Sequence, residues 1–289
     1  MSSSPPPAAR GKWSTRRNTN DPHRAVAATR TFFLLQVKHF FTILSHELRV
    51  LLVSPSTYLA AVAFLSVMGF FFTMMVDSYS VAAQEVTPAV TFFQYFWVPV
   101  LLVVPLLTMK SIAEERRQGT LETLLTTPVS TAEVVLGKYF SAYFLYISLW
   151  ACTGGFFYIL HRFARDARFI DIGPLAGGYA FVAISGLLFV AIGIAASAIS
   201  RNQAMAALFS GTALLGLIVG SNFLPNIELL KNEALRPLKT AVDYAQVFQH
   251  LADFSHGVVD TRQVLFYVSG TVLALIFSIF SVEVKLLHS

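Results

Sequence analysis

The chain has 289 residues, of which 55% are hydrophobic and only 13% are charged, with a formal net charge of +5 at pH 7. A soluble domain is nearer a quarter charged, so this composition excludes a soluble enzyme, a disordered chain and a secreted disulfide scaffold. We expect no nucleic-acid binding, because the loop charge bias of a membrane protein accounts for the positive sign. The single cysteine, Cys152, excludes an intrachain disulfide and a cysteine-based metal site, and we expect it to be a small packing residue.

The N-terminal region has two parts that differ in composition. Residues 1–30 are rich in Ser, Pro, Arg and Asn, which predicts a disordered cytoplasmic tail; an organelle transit peptide is the other interpretation. Residues 31–55 predict an amphipathic helix in the cytoplasmic interface, with Arg49 on its polar face. Glu47 falls among the apolar positions, so part of that face should meet protein. The triplet at 54–56 should end the helix. The alternative is a first membrane helix that starts early.

Six uncharged stretches follow, each long enough to cross about 30 Å of hydrocarbon as a helix. They do not alternate as the strands of a membrane barrel would. The sequence therefore predicts an all-α polytopic membrane protein with a permease domain over residues 56–285. Pro99 and Pro105 should kink the second span. The predicted spans are residues 56–76, 88–109, 139–160, 177–200, 204–224 and 264–282.

The distribution of Lys and Arg predicts the orientation. Fourteen of the 21 lie on the side of the two termini and seven lie on the other side. The positive-inside rule then places both termini in the cytoplasm, and we expect a multi-pass protein of the cell inner membrane. The long segment 225–263 falls outside, either as a re-entrant helical hairpin or as a solvated loop.

The predicted spans contain no Asp, Glu, Lys or Arg, so no side chain in them is positioned to relay ions or protons. No hydrolase or metalloprotease motif is present, and His250 and His256 without a third ligand give no metal site. Gly216 with Gly220, and Gly193 with Ser197, predict close helix packing, inside the subunit or at a dimer seam. An intramembrane enzyme or a simple channel is therefore disfavoured.

The connection at 110–138 contains several residues that typically start or end helices. The helix of the second span should continue through 114–117 and stop at Gly119. Thr120 should then cap a short helix over 121–126, with Glu122 in its first turn. Pro128 should end that helix.

Ser130 and Glu133 form a capping box, S-x-x-E, that should start the helix leading into the third span. The result would be a rigid helical loop that protrudes from the membrane. Such a loop can carry force from a cytoplasmic partner to the spans, although an ordinary capped surface loop is the alternative.

Residues 113–130, followed by Val-Leu-Gly-Lys-Tyr at 135–139, resemble the signature loop of type-2 ABC transporter permeases. The family pattern is an acidic pair, Gly-Thr, Glu-x-Leu-Leu, Pro, then Gly-Lys. Residues 253–264 are similar to the gliding-motility-associated (GldF-like) branch, as is the helix leading into the first span, although the family usually has Lys where His46 stands. The positions that match the loop pattern are Glu114, Glu115, Gly119, Thr120, Glu122, Leu124, Leu125, Pro128, Gly137 and Lys138.

This resemblance covers residues 31–285 and implies the membrane subunit of an ABC transporter, with export as the expected direction, coupled through 110–138 to a separate ATPase subunit. ATP would be bound and hydrolysed there, because Gly137-Lys138 is followed by Tyr139 and no phosphate-binding loop exists in this chain; no cofactor or catalysis is expected here. The implied coupling residues are Arg116 and the matched positions except Gly137, together with Glu47 and Arg49 in the interfacial helix.

The resemblance further implies a second permease subunit, as a homodimer or heterodimer within the lipid bilayer. Uncharged spans suit a lipid, a lipid-linked sugar, a hydrophobic molecule or a protein segment better than a free ion. The alternative function is a non-transporting membrane anchor or mechanotransmission subunit of a motility- or secretion-type ABC complex.

Overall fold

A computed structural model describes residues 41–81, 86–119, 130–163, 171–223 and 244–286, all within one compact unit that spans Phe40–Ser289. Across these ranges the regular structure is helical, which confirms the predicted all-α class. The predicted tail 1–30, the first part of the interfacial helix and the predicted short helix 121–126 lie outside the described residues.

The first helix, α1, is described over residues 41–53 and ends at Ser54. Helix α2 begins at once and runs over Pro55–Val81, with the hydroxyls of Ser54 and Ser56 2.8 Å apart at the junction. The predicted break at 54–56 is therefore confirmed. Along α1 one side is exposed, including Arg49, whereas Ile43, Leu44, Glu47, Leu48 and Leu51 are half-buried. The half-buried side is mostly apolar, but the exposed side also carries Phe41, Val50 and Val53. The helical state of 41–53 agrees with the sequence, and its amphipathic placement in the cytoplasmic interface stays a prediction.

The second predicted span, 88–109, is wrong as one continuous helix. The segment forms α3, Pro88–Gln94, and α4, Trp97–Thr108, with a break at Tyr95 and Phe96. Pro99 has no N–H to donate to the carbonyl of Tyr95, which favours a break at this point. After four residues of turn, α5 follows at Ala113–Gln118, and the helical stretch suited to cross the membrane is Trp97–Gln118.

The remaining elements are long apolar helices and one short helix. The helices are α6, Thr131–Phe163; α7, Ile172–Ile199; α8, Gln203–Leu215; α9, Val247–Ser255; and α10, Thr261–Leu286. Helix α8 continues through a π-helical turn, Gly216–Gly220, into Ser221–Phe223. In the described residues six helical stretches are long and apolar enough to cross a membrane, which confirms the predicted number of spans.

Helix α7 is the most enclosed span: 67% of its apolar window is buried, against 22–50% for the other spans. Its glycines let neighbouring side chains approach the backbone. A Cβ on Gly193 would lie 2.4 Å from the Thr108 hydroxyl, and one on Gly186 would lie 2.3 Å from the Tyr146 ring. The small residues of α7 therefore serve packing inside the subunit.

The structure contradicts two expectations about packing inside the subunit; for Gly216 and Gly220 the alternative, a dimer seam, stays a prediction. Cys152 is exposed on α6 instead of filling the interior. A Cβ added at Gly216 would have no atom of another helix within 4 Å, so this glycine makes no close helix contact within the described part of the subunit. Gly216 and Gly220 instead bound the π-helical turn that follows α8.

Candidate coupling site at the loop end of the bundle

The end of the bundle where α5 stops at Gly119 and α6 begins after Ser130 is called the loop end. Here Lys138, near the start of α6, contacts carboxylates from two other helices. Its Nζ donates to Glu47 Oε1 of α1 at 2.8 Å and to Glu115 Oε1 of α5 at 2.6 Å. We call Glu47, Glu115 and Lys138 the Lys138 triad. It joins α1 to α5 and α6: Lys138 is 91 residues from Glu47 and 23 residues from Glu115.

The triad is largely removed from water. The side chain of Lys138 is 3% exposed, that of Glu47 14% and that of Glu115 21%. Two carboxylates share one ammonium group, so either carboxylate alone would suffice to neutralise it. Removing the lysine would leave two like charges facing each other in a poorly solvated site. The prediction that Glu47 meets protein is confirmed.

Gly137 explains why α1 can reach this site. A Cβ at Gly137 would lie 2.7 Å from Ile43 Cγ2, so α1 packs directly on the α6 backbone at this glycine. Because Gly137 has no side chain, α1 can pack against α6 here, and Lys138 then binds Glu47 of α1. The Gly-Lys pair therefore has a structural purpose here that differs from phosphate binding.

Helix α5 is fixed to the end of α7. The Ser197 hydroxyl accepts hydrogen bonds from the backbone N–H groups of Ile112 and Ala113, both at 3.1 Å. These donors lie at the start of α5, where the first N–H groups of a helix have no acceptor within the helix itself. Arg116 Nη1 donates to the carbonyl of Ser200 at 2.7 Å, which satisfies an acceptor at the C-terminus of α7.

Glu114 and Lys285 make further hydrogen bonds at the loop end. Glu114 accepts hydrogen bonds from Arg117 Nη2 at 2.7 Å and Gln118 Nε2 at 2.6 Å, and it also accepts one from Gln203 at the start of α8. Lys285 of α10 donates to the carbonyls of Ala198 and Ile199, at 3.2 and 2.7 Å. A cation at a helix C-terminus is electrostatically favourable.

Both ends of the 110–138 loop have the predicted caps. Gly119 has φ of +69°, the left-handed conformation that ends a helix and that glycine adopts without strain. At the other end, Ser130 N donates to Glu133 Oε2 at 3.0 Å and Glu133 N donates to Ser130 Oγ at 3.2 Å. This reciprocal pair is the capping box, so that prediction is confirmed.

The family of the chain follows from its similarity to known protein families. The family described as "ABC-2 family transporter protein" matches residues 78–237, more than half of the chain. This chain belongs to the ABC-2 transporter family. Its family domain is a membrane-spanning, non-catalytic component of an ABC transporter, and membership implies an ABC ATPase partner. A comparison with curated proteins found no match.

The residues predicted to couple this ABC-2 subunit to its partner fall into three groups. Glu47, Glu115 and Lys138 are buried or half-buried in the triad, so their direct action is on neighbouring helices. Arg49 and Gly119 are exposed, and Glu114 and Arg116 are half-buried. The positions outside the described residues are Thr120, Glu122, Leu124, Leu125 and Pro128. Ser197, Gln203 and Lys285 were not predicted, because their partners are distant in the sequence.

At the opposite end of the ABC-2 subunit, α9 is packed against α7. A Cβ at Gly177 would lie 2.0 Å from the carbonyl oxygen of Phe254, so the two backbones touch. His250 is buried and its Nδ1 lies 2.9 Å from the Tyr267 hydroxyl. Burial lowers the pKa of His250, against the attraction of Asp253. Residues 247–255 therefore form a helix packed on α7, and both interpretations of the whole segment 225–263 stay predictions.

Proposed function

We propose that this chain is the membrane subunit of an ABC exporter and that a separate ATPase subunit drives it through the 110–138 loop. The observation that carries the proposal is the Lys138 triad, which ties α1, α5 and α6 together beside that loop. The contacts of Ser197, Arg116 and Lys285 extend the same tie to α7 and α10.

Stiffness at the loop end would carry a movement of the partner into the bundle. A capped helix end stands on each side of the loop: the C-terminus of α5 and the N-terminus of α6. A displacement of the loop therefore acts directly on these two helix ends. The buried ion pairs and hydrogen bonds have few other groups to pair with, so they keep the helices from sliding past one another. Breaking them would leave unpaired charges or unpaired backbone groups. A push on the loop is therefore passed to α1, α6 and α7 together.

The orientation follows from charge. The loop end lies on the same side as the two termini, which is the side with more Lys and Arg. The positive-inside rule places that side in the cytoplasm, where ATP is available. In our proposal the protein lies in the inner membrane with both termini cytoplasmic. The chain itself needs no cofactor, and ATP is held by the partner.

A second permease subunit completes the proposed transporter, as a homodimer or heterodimer. The predicted spans are uncharged, which suits a lipid, a lipid-linked sugar, a hydrophobic molecule or a protein segment as cargo. Assignment to the gliding-motility-associated branch rests on the resemblance of residues 253–264 and of the helix leading into the first span.

Co-purification tests the docking surface. In a strain with the native ATPase subunit, the double change Leu124→Asp and Leu125→Asp places charge in the predicted short helix and should abolish recovery of the ATPase with this chain. The matched control is Val258→Asp with Val259→Asp, two exposed apolar residues at the opposite end. Undiminished recovery in the Leu124/Leu125 variant would count against docking on this loop.

Reconstitution tests the transport role. Vesicles that contain both subunits should couple ATP hydrolysis to cargo movement. ATP hydrolysis without movement of any of the proposed cargo classes would instead assign this chain the role of a non-transporting anchor or mechanotransmission subunit.

A further inference from the structure

Three cations of the described residues lie close together where α7 ends, at the loop end of the bundle. Lys285 of α10 and Arg116 of α5 both bind carbonyls at this helix end, and Arg201 follows directly after it. The charges of Arg116 and Arg201 both act on Lys285 and repel its ammonium group, so the three charges are neighbours. We call Arg116, Arg201 and Lys285 the basic cluster.

Two members of the basic cluster are held in place by backbone groups. Lys285 Nζ donates to the carbonyls of Ala198 and Ile199, at 3.2 and 2.7 Å, and Arg116 Nη1 donates to that of Ser200 at 2.7 Å. An ammonium group carries three N–H donors, so Lys285 keeps one for a ligand. These contacts fix the positive charge before a ligand arrives, which reduces the entropy lost on binding.

Arg201 is the exposed member of the basic cluster. Its side chain forms no hydrogen bond or ion pair with another described residue. A guanidinium group presents its N–H donors as a planar fork that matches the oxygens of a phosphate group. Arg201 is therefore available to bind an anion from the surrounding interface.

Among the described residues no carboxylate forms an ion pair with the basic cluster. Glu114 pairs with Arg117, and Glu115 belongs to the Lys138 triad. Glu283 is two residues from Lys285, about 200° around α10, and so lies on nearly the opposite side of that helix. The C-terminus of α7 supplies only about half a negative charge. The cluster therefore keeps a surplus of positive charge.

Apolar surface lies next to the basic cluster. Ile199, whose carbonyl binds Lys285, is exposed, and so are Met205 and Leu208 in the part of α8 that follows Arg201. Both helices are long and apolar enough to cross a membrane, so these side chains can contact lipid tails. A soluble anion would gain nothing from this surface. A phospholipid can place its phosphate at the cluster and its acyl chains along the helices.

We propose that the basic cluster binds the phosphate of an anionic phospholipid headgroup, in the leaflet at the loop end. Arg201 supplies the forked contact, Lys285 supplies one N–H, and the half-buried Arg116 adds its charge. Binding here requires neither ATP nor the ATPase subunit. Its failure would therefore leave the proposed coupling role untouched.

The test uses the full chain in detergent, without the ATPase subunit. One arm titrates it with phosphatidylglycerol or with phosphatidylcholine of the same acyl chains, and native mass spectrometry measures the bound lipid. Phosphatidylglycerol should bind about 10-fold tighter or more, because it carries a net negative charge that phosphatidylcholine lacks. The other arm measures binding of radiolabelled inorganic phosphate by equilibrium dialysis and should show no saturable binding in the same concentration range.

Variants connect the binding to the basic cluster. Arg201→Gln should weaken phosphatidylglycerol binding about 5-fold, the effect of one basic residue at an anionic surface. Its melting point should equal that of wild type, because this side chain bonds to no other described residue. Lys285→Gln should also weaken binding, and Arg201→Gln decides the matter if that variant folds poorly. The matched control is Arg49→Gln, which removes one exposed cation from α1 at the same end and should leave binding unchanged.

Three results would overturn the proposal. The first is equal affinity for the two phospholipids, and the second is inorganic phosphate that binds as tightly as phosphatidylglycerol. The third is an Arg201→Gln protein that binds phosphatidylglycerol as well as the Arg49→Gln control does. If that Arg201→Gln protein also loses the ATPase subunit in co-purification, the basic cluster serves the protein partner instead of a lipid.

Discussion

Lys138 and Glu47 are 91 residues apart in the chain, yet the Lys138 ammonium nitrogen lies 2.8 Å from a carboxylate oxygen of Glu47. The same nitrogen lies 2.6 Å from Glu115, so one cation holds two helices against α6. The neighbouring Gly137 makes this contact possible, since any side chain there would displace Ile43 of α1. The relation between these residues is the basis of the proposed coupling.

Replacing Lys138 with Met should destabilise the subunit strongly. The change leaves Glu47 and Glu115 facing each other with little water. We expect a loss of about 3 kcal/mol, the lower end of the range for buried ion pairs, because both carboxylates keep some exposure. Thermal unfolding in detergent measures the loss.

The control for charge removal in general is Arg117→Met, which breaks an exposed pair with Glu114 and should have little effect on the melting point. The triple variant Lys138→Met, Glu47→Gln and Glu115→Gln should recover much of the lost stability, because no unpaired charge remains. Equal melting points for Lys138→Met and Arg117→Met would contradict the role of the triad.

Gly119→Ala should loosen the end of α5. The left-handed backbone at φ +69° costs a residue with a Cβ about 1–2 kcal/mol. Faster hydrogen exchange at Gln118 and lower ATP-driven coupling are the expected results, and Gly119→Asn should behave more mildly. The control Gly155→Ala adds a Cβ in open space on α6 and should be neutral or stabilising. A Gly119→Ala protein with wild-type exchange rates would argue against the cap.

Ser197→Ala should release the start of α5 from α7. The backbone N–H groups of Ile112 and Ala113 lose their acceptor, at a cost of about 1–3 kcal/mol. Hydrogen exchange by mass spectrometry should show faster exchange in the peptide that contains these two residues. Ser148→Ala, which removes an exposed hydroxyl of α6, should leave that peptide unchanged. The prediction fails if both variants exchange alike.

Gly177→Ala should displace α9 from α7. The added Cβ would lie 2.0 Å from the Phe254 carbonyl oxygen, and backbone cannot yield as a flexible side chain does, so we expect a loss of about 1–3 kcal/mol. Gly154→Ala is the control, because its Cβ would meet only the Tyr179 hydroxyl at 3.7 Å. Similar melting points for the two variants would show that α9 does not rest on this glycine.

His250 should make the opposite end sensitive to acid. Its pKa is lowered by burial, in spite of Asp253 and Asp260, so the unfolded chain binds a proton more readily than the folded one. The contribution to stability is complete above the unfolded pKa of about 6.5 and declines as the pH falls below it. As the pH is lowered from about 7.5 to about 5.5, the melting temperature of wild type should therefore fall further than that of His250→Gln. Parallel pH profiles would contradict this.

Features that depend on a few adjacent residues could be predicted from the sequence. The cap at Gly119, the capping box of Ser130 and Glu133, and the break at Ser54 each follow from residues within about one helical turn. The six spans follow from length and composition. Hydropathy could not show the break at Tyr95, although Pro99, which the sequence predicts to kink this span, lies four residues after it.

Contacts between distant segments were beyond sequence reasoning. Ser197 and Ala113 are 84 residues apart, and nothing in the local sequence marks a serine on an apolar helix as an acceptor for another helix start. Lys138 was predicted as a residue that couples to a partner, but its side chain points into the subunit at 3% exposure. The packing of α1 on Gly137 explains this orientation, because it brings Glu47 within reach of Lys138.

Site-specific photocrosslinking tests the central claim most directly. A benzoylphenylalanine at Gln118, the exposed last residue of α5, should form an adduct with the native ATPase subunit in intact membranes. The same probe at Val259, exposed at the opposite end, should form none. An adduct at Val259, or an intact complex that gives no adduct at Gln118, would contradict coupling through the 110–138 loop.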